Sequence, residues 1–320
     1  MKPILLYGCQ VLAPHFRTIK FLAETNGNTK ASQFLQNIAS DHYERFHLKY
    51  LKWNLSVHPK ASNSGCWGDS GRYPLFFEAS KLVIDYFERV KECSNNADGS
   101  LLAAAYEEQR NLNLDWYSNT LRLMTRFGSS SRVSNGTSRP TRPSIIISQN
   151  IRSTFVEHWK NDILNSPKLE FYSQIKSEFI AEPYLNHITN PEHRSSVTKF
   201  RISAHNLYIE RGRYERPLVP REKRWCAYCY TQLNTICIED ELHALITCPL
   251  TGTIKRRVLG TTYPSCQLLS EVTTSAECSA SRHNVLVGKL THAILETYGS
   301  FTDYFKTQDF HNKTGQCRIL

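Results

Sequence analysis

The feature that most limits what this chain can fold into is a set of four residues. Cys226-Ala-Tyr-Cys229 is followed by thirteen residues and then by His243-Ala-Leu-Ile-Thr-Cys248. A Cys-x-x-Cys turn points two thiolates at one ion while the backbone bends around it. His243 and Cys248 lie about 1.4 helical turns apart, so they converge where a helix relaxes at its end. Pro249, directly after Cys248, supplies such an ending. Three sulfurs and an imidazole form the closed tetrahedral set that structural zinc prefers. The spacing therefore marks Cys226, Cys229, His243 and Cys248 as metal ligands and Zn2+ as the cofactor, with folding rather than chemistry as its role. Cys237 is the main rival ligand and His205 a weaker one. The acids Glu239, Asp240 and Glu241 read as the start of the helix that carries His243.

Ten cysteines are many, but their distribution is not that of a disulfide framework. Four fall between positions 226 and 248 and six are scattered. Clustering of this kind argues for metal and a reducing compartment. Ile4 to Ala13 superficially resembles a short signal peptide, yet Gly8, Gln10 and Pro14 interrupt it and no small-x-small cleavage site follows. No apolar run reaches the 18 residues of a transmembrane helix. The expectation is an intracellular protein, nuclear or cytoplasmic, not secreted and without a membrane partner.

The net charge of +10 favours polyanionic partners, and its placement sharpens that reading. Residues 194 to 224 hold nine Lys or Arg against three Glu, a net of +6 in about a tenth of the chain. Seven of the nine are Arg, whose planar fork suits bidentate phosphate contacts. Tyr208, Tyr214, Trp225 and Tyr228 are interleaved and can stack on bases. Lys199, Arg201, Arg211, Arg213, Tyr214, Arg216, Arg221, Lys223 and Arg224 are accordingly the candidate contacts to RNA or DNA.

Elsewhere the pattern is helical, and the expected fold class is mainly α. Phe34, Leu35, Ile38, Phe46, Tyr50 and Trp53 recur at helical spacing between Ala31 and Leu55. The Gly/Ser/Asp-rich stretch from Gly65 to Tyr73 reads as a loop. Pro74 opens a helix carrying Phe76, Ala79, Val83, Tyr86, Phe87 and Val90, and Leu101 to Arg126 reads as a further one. Residues 128–144, rich in Ser, Pro and Arg, form a linker that cannot bury a core. Two helices follow, over Ile151 to Ile163 and over Leu169 to Phe179, with aromatic stripes that belong to a core. The domains read from this pattern are a helical region over 1–127, the linker 128–144 and a helical connector over 145–192. The basic segment with its zinc module takes 193–258, and a helical or irregular tail takes 259–320.

Catalytic signatures are missing. There is no Asp-Asp pair, no Walker lysine loop, no Gly-x-Ser-x-Gly and no pair of metal-binding carboxylates at polymerase or nuclease spacing. The expectation is a protein that is not an enzyme.

Several separated motifs resemble one family. Lys2-Pro3-Ile4-Leu5-Leu6-Tyr7-Gly8-Cys9, Arg45 through Trp53, Asn63-Ser64 and Gly71-Arg72-Tyr73-Pro74-Leu75 are similar, in order, to the region after the polymerase palm of LINE-type (non-LTR) retrotransposon reverse transcriptases. Lys199 through Leu207, Ile209 through Tyr214, Ile238 through His243 and Cys248-Pro249-Leu250 resemble the run up to and through that family's cysteine-histidine motif. The resemblance implies a thumb-like helical region, then a zinc module that helps hold template RNA or target DNA, with other parts of a reverse transcriptase as further partners. It covers residues 1 to about 250 and includes neither the palm with its catalytic aspartates nor an endonuclease. Residues 128–144 depart from the family pattern. The implied role is that of a non-catalytic nucleic-acid-binding fragment. The alternatives are a zinc-stapled interaction or scaffold protein and a decayed retroelement remnant without selected function.

Overall fold

The computed structural model describes residues 6–12, 18, 21, 31–95, 100–128, 142–259 and 280–306. It is mainly α, as the periodicity predicts, and among the described residues there is no strand beyond one isolated bridge, Trp225 with Ile238. The helices in chain order begin with α1 (Cys9–Leu12), α2 (Ala31–Ser40), α3 (His42–Asn54), α4 (Asn63–Ser70) and α5 (Phe76–Asn95). Next come α6 (Leu101–Asn111), α7 (Asp115–Gly128), α8 (Pro143–Asn165), α9 (Glu170–Ile175) and α10 (Tyr184–His187). The last five are α11 (Pro191–Arg201), α12 (Tyr208–Arg211), α13 (Ala227–Leu233), α14 (Gly252–Leu259) and α15 (Ala280–Lys306). Among the described residues, no helix is long and apolar enough to cross a membrane. Most of the expected linker, residues 129–141, and the end of the chain after 306 lie outside the described residues.

Two compact units interleave along the sequence. The first takes residues 1–51 and 72–162, the second 52–71 and 163–320. In the first, α8 supplies a clean stripe in which every fourth residue, Ile147, Ile151, Phe155 and Trp159, is buried. Phe155 meets Phe77 of α5 edge-on at 5.4 Å, and Phe34 of α2 stacks on His158 at 4.1 Å. Further along α5, Phe87 and Val90 close a second cluster with Tyr106 of α6 and Trp116 of α7. The aromatics of α3 behave otherwise. Its buried face is Glu44, His47, Leu48 and Leu51, while Phe46, Tyr50 and Trp53 are exposed. Glu44 earns its burial by accepting from the Leu75 main-chain N–H and bonding His47 Nδ1 at 3.0 Å. Periodicity fixes that a helix has two faces, and here polar anchoring decides which one turns inward.

Three local expectations are corrected. The stretch read as a loop from Gly65 is the helix α4, capped by the Ser62 side chain and stopped at Gly71 in the left-handed region. Its composition is poor for a helix, but Cys66 and Trp67 are fully buried and Gly65 sits 2.9 Å, measured to an ideal Cβ, from the Ile202 side chain. Packing overrides propensity there. Leu101 to Arg126 is two helices, because Asn113 takes φ +48° between α6 and α7. The α8 helix starts at Pro143, inside the expected linker.

Gly71 has φ +58°, and a Cβ there would stand 2.2 Å from the Ala181 main-chain nitrogen. Gly71→Ala is therefore expected to cost more than the roughly 1–2 kcal/mol of the left-handed conformation alone. Urea denaturation would show it as a lowered midpoint with an unchanged slope.

Candidate metal centre

The four cysteine and histidine positions of the sequence motif lie in the second unit and converge. One ligand atom from each of Cys226, Cys229, His243 and Cys248 lies within 4.8 Å of all the others, and all four residues are buried. The first pair is set by a short ribbon. Cys226 N–H donates to the Cys237 carbonyl at 2.7 Å and Glu239 N–H to the Arg224 carbonyl at 2.9 Å, on either side of the Trp225–Ile238 bridge. The chain then enters α13, with Cys226 at its N-cap and Cys229 in its first turn. Asn234, at φ 50° and ψ 37°, ends that helix and hands its N–H to the Cys229 carbonyl.

The second pair depends on an unusual turn. In an α-helix, at about 100° per residue, side chains five apart would diverge by about 140°. Residues His243–Thr247 instead form a single π-helical turn, with Cys248 N–H bonded to the His243 carbonyl at 2.8 Å. The wider turn takes fewer degrees per residue and brings positions five apart towards one face. Asp240 holds its start, accepting from His243 N–H at 2.8 Å.

The separations fit an ion. Cys226 Sγ and Cys229 Sγ each lie 3.9 Å from Cys248 Sγ, and Cys229 Sγ lies 3.4 Å from His243 Nε2. A tetrahedron with zinc-like bond lengths has S···S edges of about 3.8 Å and S···N edges of about 3.6 Å. His243 Nδ1 pairs with Thr247 Oγ1 at 3.0 Å, which orients the ring so that Nε2 faces the sulfurs.

Without a cation the three thiols work against one another. Cys248 is held low, to about 3, by hydrogen bonds from Cys226 and then from His243. Cys226 is pushed up by giving its proton to Cys248 and by burial; burial and the charge of Cys248 push Cys229 up to about 12. One negative charge is tolerated and three are not, so a bound cation is what allows full ionisation. The described residues thus offer a buried Cys3His cluster that could hold a metal ion.

The rival ligands are accounted for. Cys237 is not among the converging four and takes part through its carbonyl. His205 is fully buried, with Nε2 on the Glu241 carboxylate at 2.9 Å and Nδ1 accepting from Leu207 N–H. The acids before His243 divide their roles. Asp240 caps the turn as the sequence predicts, but Glu239 and Glu241 are buried braces. Glu239 accepts from Tyr208 N–H at 2.7 Å, and burial pushes its carboxyl up to about 7.

The candidate nucleic-acid residues do not form one exposed face. Arg201 and Arg224 are buried, at 3% and 6% exposure. Arg201 is paired with Asp69 and Glu182, and Arg224 donates to the Ile209 and Val219 carbonyls. Neither can reach a phosphate from these positions, which corrects their assignment as contacts. Arg211 pairs with Glu215 at 3.7 Å and lies over the Tyr208 ring. Arg213 pairs with Glu210 at 3.0 Å, and Arg221 pairs with Glu170. Tyr214 is exposed but also bonded to Lys168 and Glu210. Lys199 is half-buried, while Arg216 and Lys223 are exposed. Two exposed cations that the sequence reading passed over, Arg256 and Arg257, end α14.

Fold and site together define a mainly helical protein with a buried three-cysteine, one-histidine cluster. No family model matches the chain, and no curated protein or solved structure matches it.

Proposed function

We propose that this chain is a non-catalytic nucleic-acid-binding protein whose Cys3His cluster holds one structural zinc ion. The observation that carries the reading is the set of four buried ligand atoms at tetrahedral separations. Four protein ligands leave no open position for a metal-bound water, so the ion's work is to fold its segment. For the ligand, support comes from the net charge of +10 and from the exposed Arg216, Lys223, Arg256 and Arg257 on either side of the motif. The face of α3 adds to it, with Arg45, Phe46, Lys49 and Tyr50 all exposed and no acid among them. The resemblance to LINE-type reverse transcriptases points the same way, and a fragment of such an enzyme remains the proposed origin.

Fluorescence anisotropy with single-stranded RNA tests the reading. Four phosphate contacts would give a slope of about −2.8 in log affinity against log salt, and so about a 50-fold loss between roughly 50 and 200 mM. Arg216→Ala combined with Lys223→Ala should flatten that slope by about 1.4. Absence of binding at the lower salt would sink the nucleic-acid reading. A second reading, a zinc-stapled interaction or scaffold protein, draws on one observation: Arg201, Arg211, Arg213, Arg221 and Arg224 are occupied by the fold's own carboxylates and carbonyls. An RNA affinity with no salt dependence would favour it.

A further inference from the structure

The C-terminal helix α15 has no assigned role, yet it is packed along a single stripe. Val287, Thr291, Ile294 and Tyr298 are buried, recurring every three to four residues, with Leu290 buried beside them. The helix packs on α11, and at Gly288 an added Cβ would lie 3.1 Å from both the His193 side chain of α11 and the Ile188 side chain at the end of α10. α15 also packs on the π-helical turn that carries His243 and on α14. Tyr298, further along the stripe, is only 2% exposed. The Tyr298 hydroxyl lies 4.0 Å from Cys226 Sγ. A buried phenol needs a hydrogen-bond partner, and here the cluster sulfurs are the acceptors within reach.

We propose that Tyr298 is an outer-sphere positioning residue of the metal centre, donating its O–H to the cluster sulfurs, and that α15 is thereby part of the metal module. This rests on the reading of the cluster as a metal site. A donated proton spreads charge from electron-rich thiolates, stabilising three of them around one divalent ion. Outer-sphere partners of this kind fix ligand orientation and tune affinity without touching the ion. The link also runs the other way. Loading the cluster would order its sulfurs as acceptors and so secure the helix that passes beside them.

Tyr298→Phe removes the hydroxyl and keeps the ring. On the full chain, zinc competition against a chromophoric chelator should show affinity falling about tenfold. In the cobalt(II)-substituted protein, the sulfur-to-metal charge-transfer band should move to lower energy, because an unbonded thiolate gives up its electron more easily. Simple packing would move neither readout. Equal affinity and an unmoved band in Tyr298→Phe would overturn the proposal. If the unaltered chain binds no zinc at all, the metal reading itself fails, and the two failures are thereby separate. Thr297→Ala, one position along the same helix, serves as the control and should bind metal like the unaltered chain.

Discussion

With the proposed zinc in the Cys3His cluster, stripping the metal should unfold the C-terminal part of the second unit rather than trim its stability. Structural zinc in small modules binds with about 10–16 kcal/mol near pH 7, which is as large as the whole stability of an ordinary domain, about 5–15 kcal/mol. Apart from the braces through Glu239 and Glu241 and the buried Ala244 and Leu245, this segment has little regular structure of its own. Between Arg224 and Cys248 the main-chain order rests on one bridge, a seven-residue helix and a single π-helical turn. A helix of that length is unstable by itself. A strong chelator, or Cys226→Ser combined with Cys229→Ser, should take metal content from one ion per chain to none. Amide-exchange protection across 226–248 should go with it, together with that of α15, which packs against the same turn. Acidification should have the same effect, because a metal is held by thiolates and protons compete with it for the sulfurs. Metal content that is unchanged in the double serine variant would overturn the ligand assignment.

How much of this was legible in the sequence depends on the range of the interaction. The Cys3His cluster was, since four candidate ligands at fixed spacing are a local signal, and the need for a relaxed helix end was stated by the five-residue gap between His243 and Cys248. The stripe on α8 was too, because every fourth residue from Ile147 to Trp159 is apolar. Burial that depends on distant partners was not. The α4 helix looks like a loop until Ile202, far along the chain, is laid against Gly65. Tyr298 is fifty residues from the nearest ligand, and nothing in its neighbours marks it. The Arg-rich run was legible only in part, for the same reason. Charge counted along a sequence does not reveal which guanidinium groups the fold itself consumes: Glu210 and Glu215 pair with Arg213 and Arg211 inside the run, while Asp69, Glu170 and Glu182 reach in from outside it.

Arg201 shows the consequence most clearly, and Arg201→Ala is expected to be a folding variant rather than a binding one. Its guanidinium lies 3.3 Å from the Asp69 carboxylate and 2.9 Å from Glu182. Lys176 also bonds Glu182, and Tyr184 donates to Asp69 at 2.7 Å while sharing a 2.7 Å hydrogen bond with Thr198. Asp69 is fully buried, and these acids keep the arginine charged against the pull of desolvation. Removing one partner from such a set leaves charge buried without compensation, which costs about 3–5 kcal/mol. Arg201→Lys should recover only part of the loss, because an ammonium cannot span two carboxylates as a planar fork does. Arg216→Ala, at an exposed position, should stay within about 0.5 kcal/mol. Urea denaturation separates the cases, and RNA titrations at two salt concentrations add a second axis. Arg201→Ala protein that is still folded should keep the salt slope of the unaltered chain, whereas loss of a phosphate contact would lower it by about 0.7. A stable Arg201→Ala variant with a flattened slope would mean that Arg201 reaches the nucleic acid after all, and that the buried network opens when it binds.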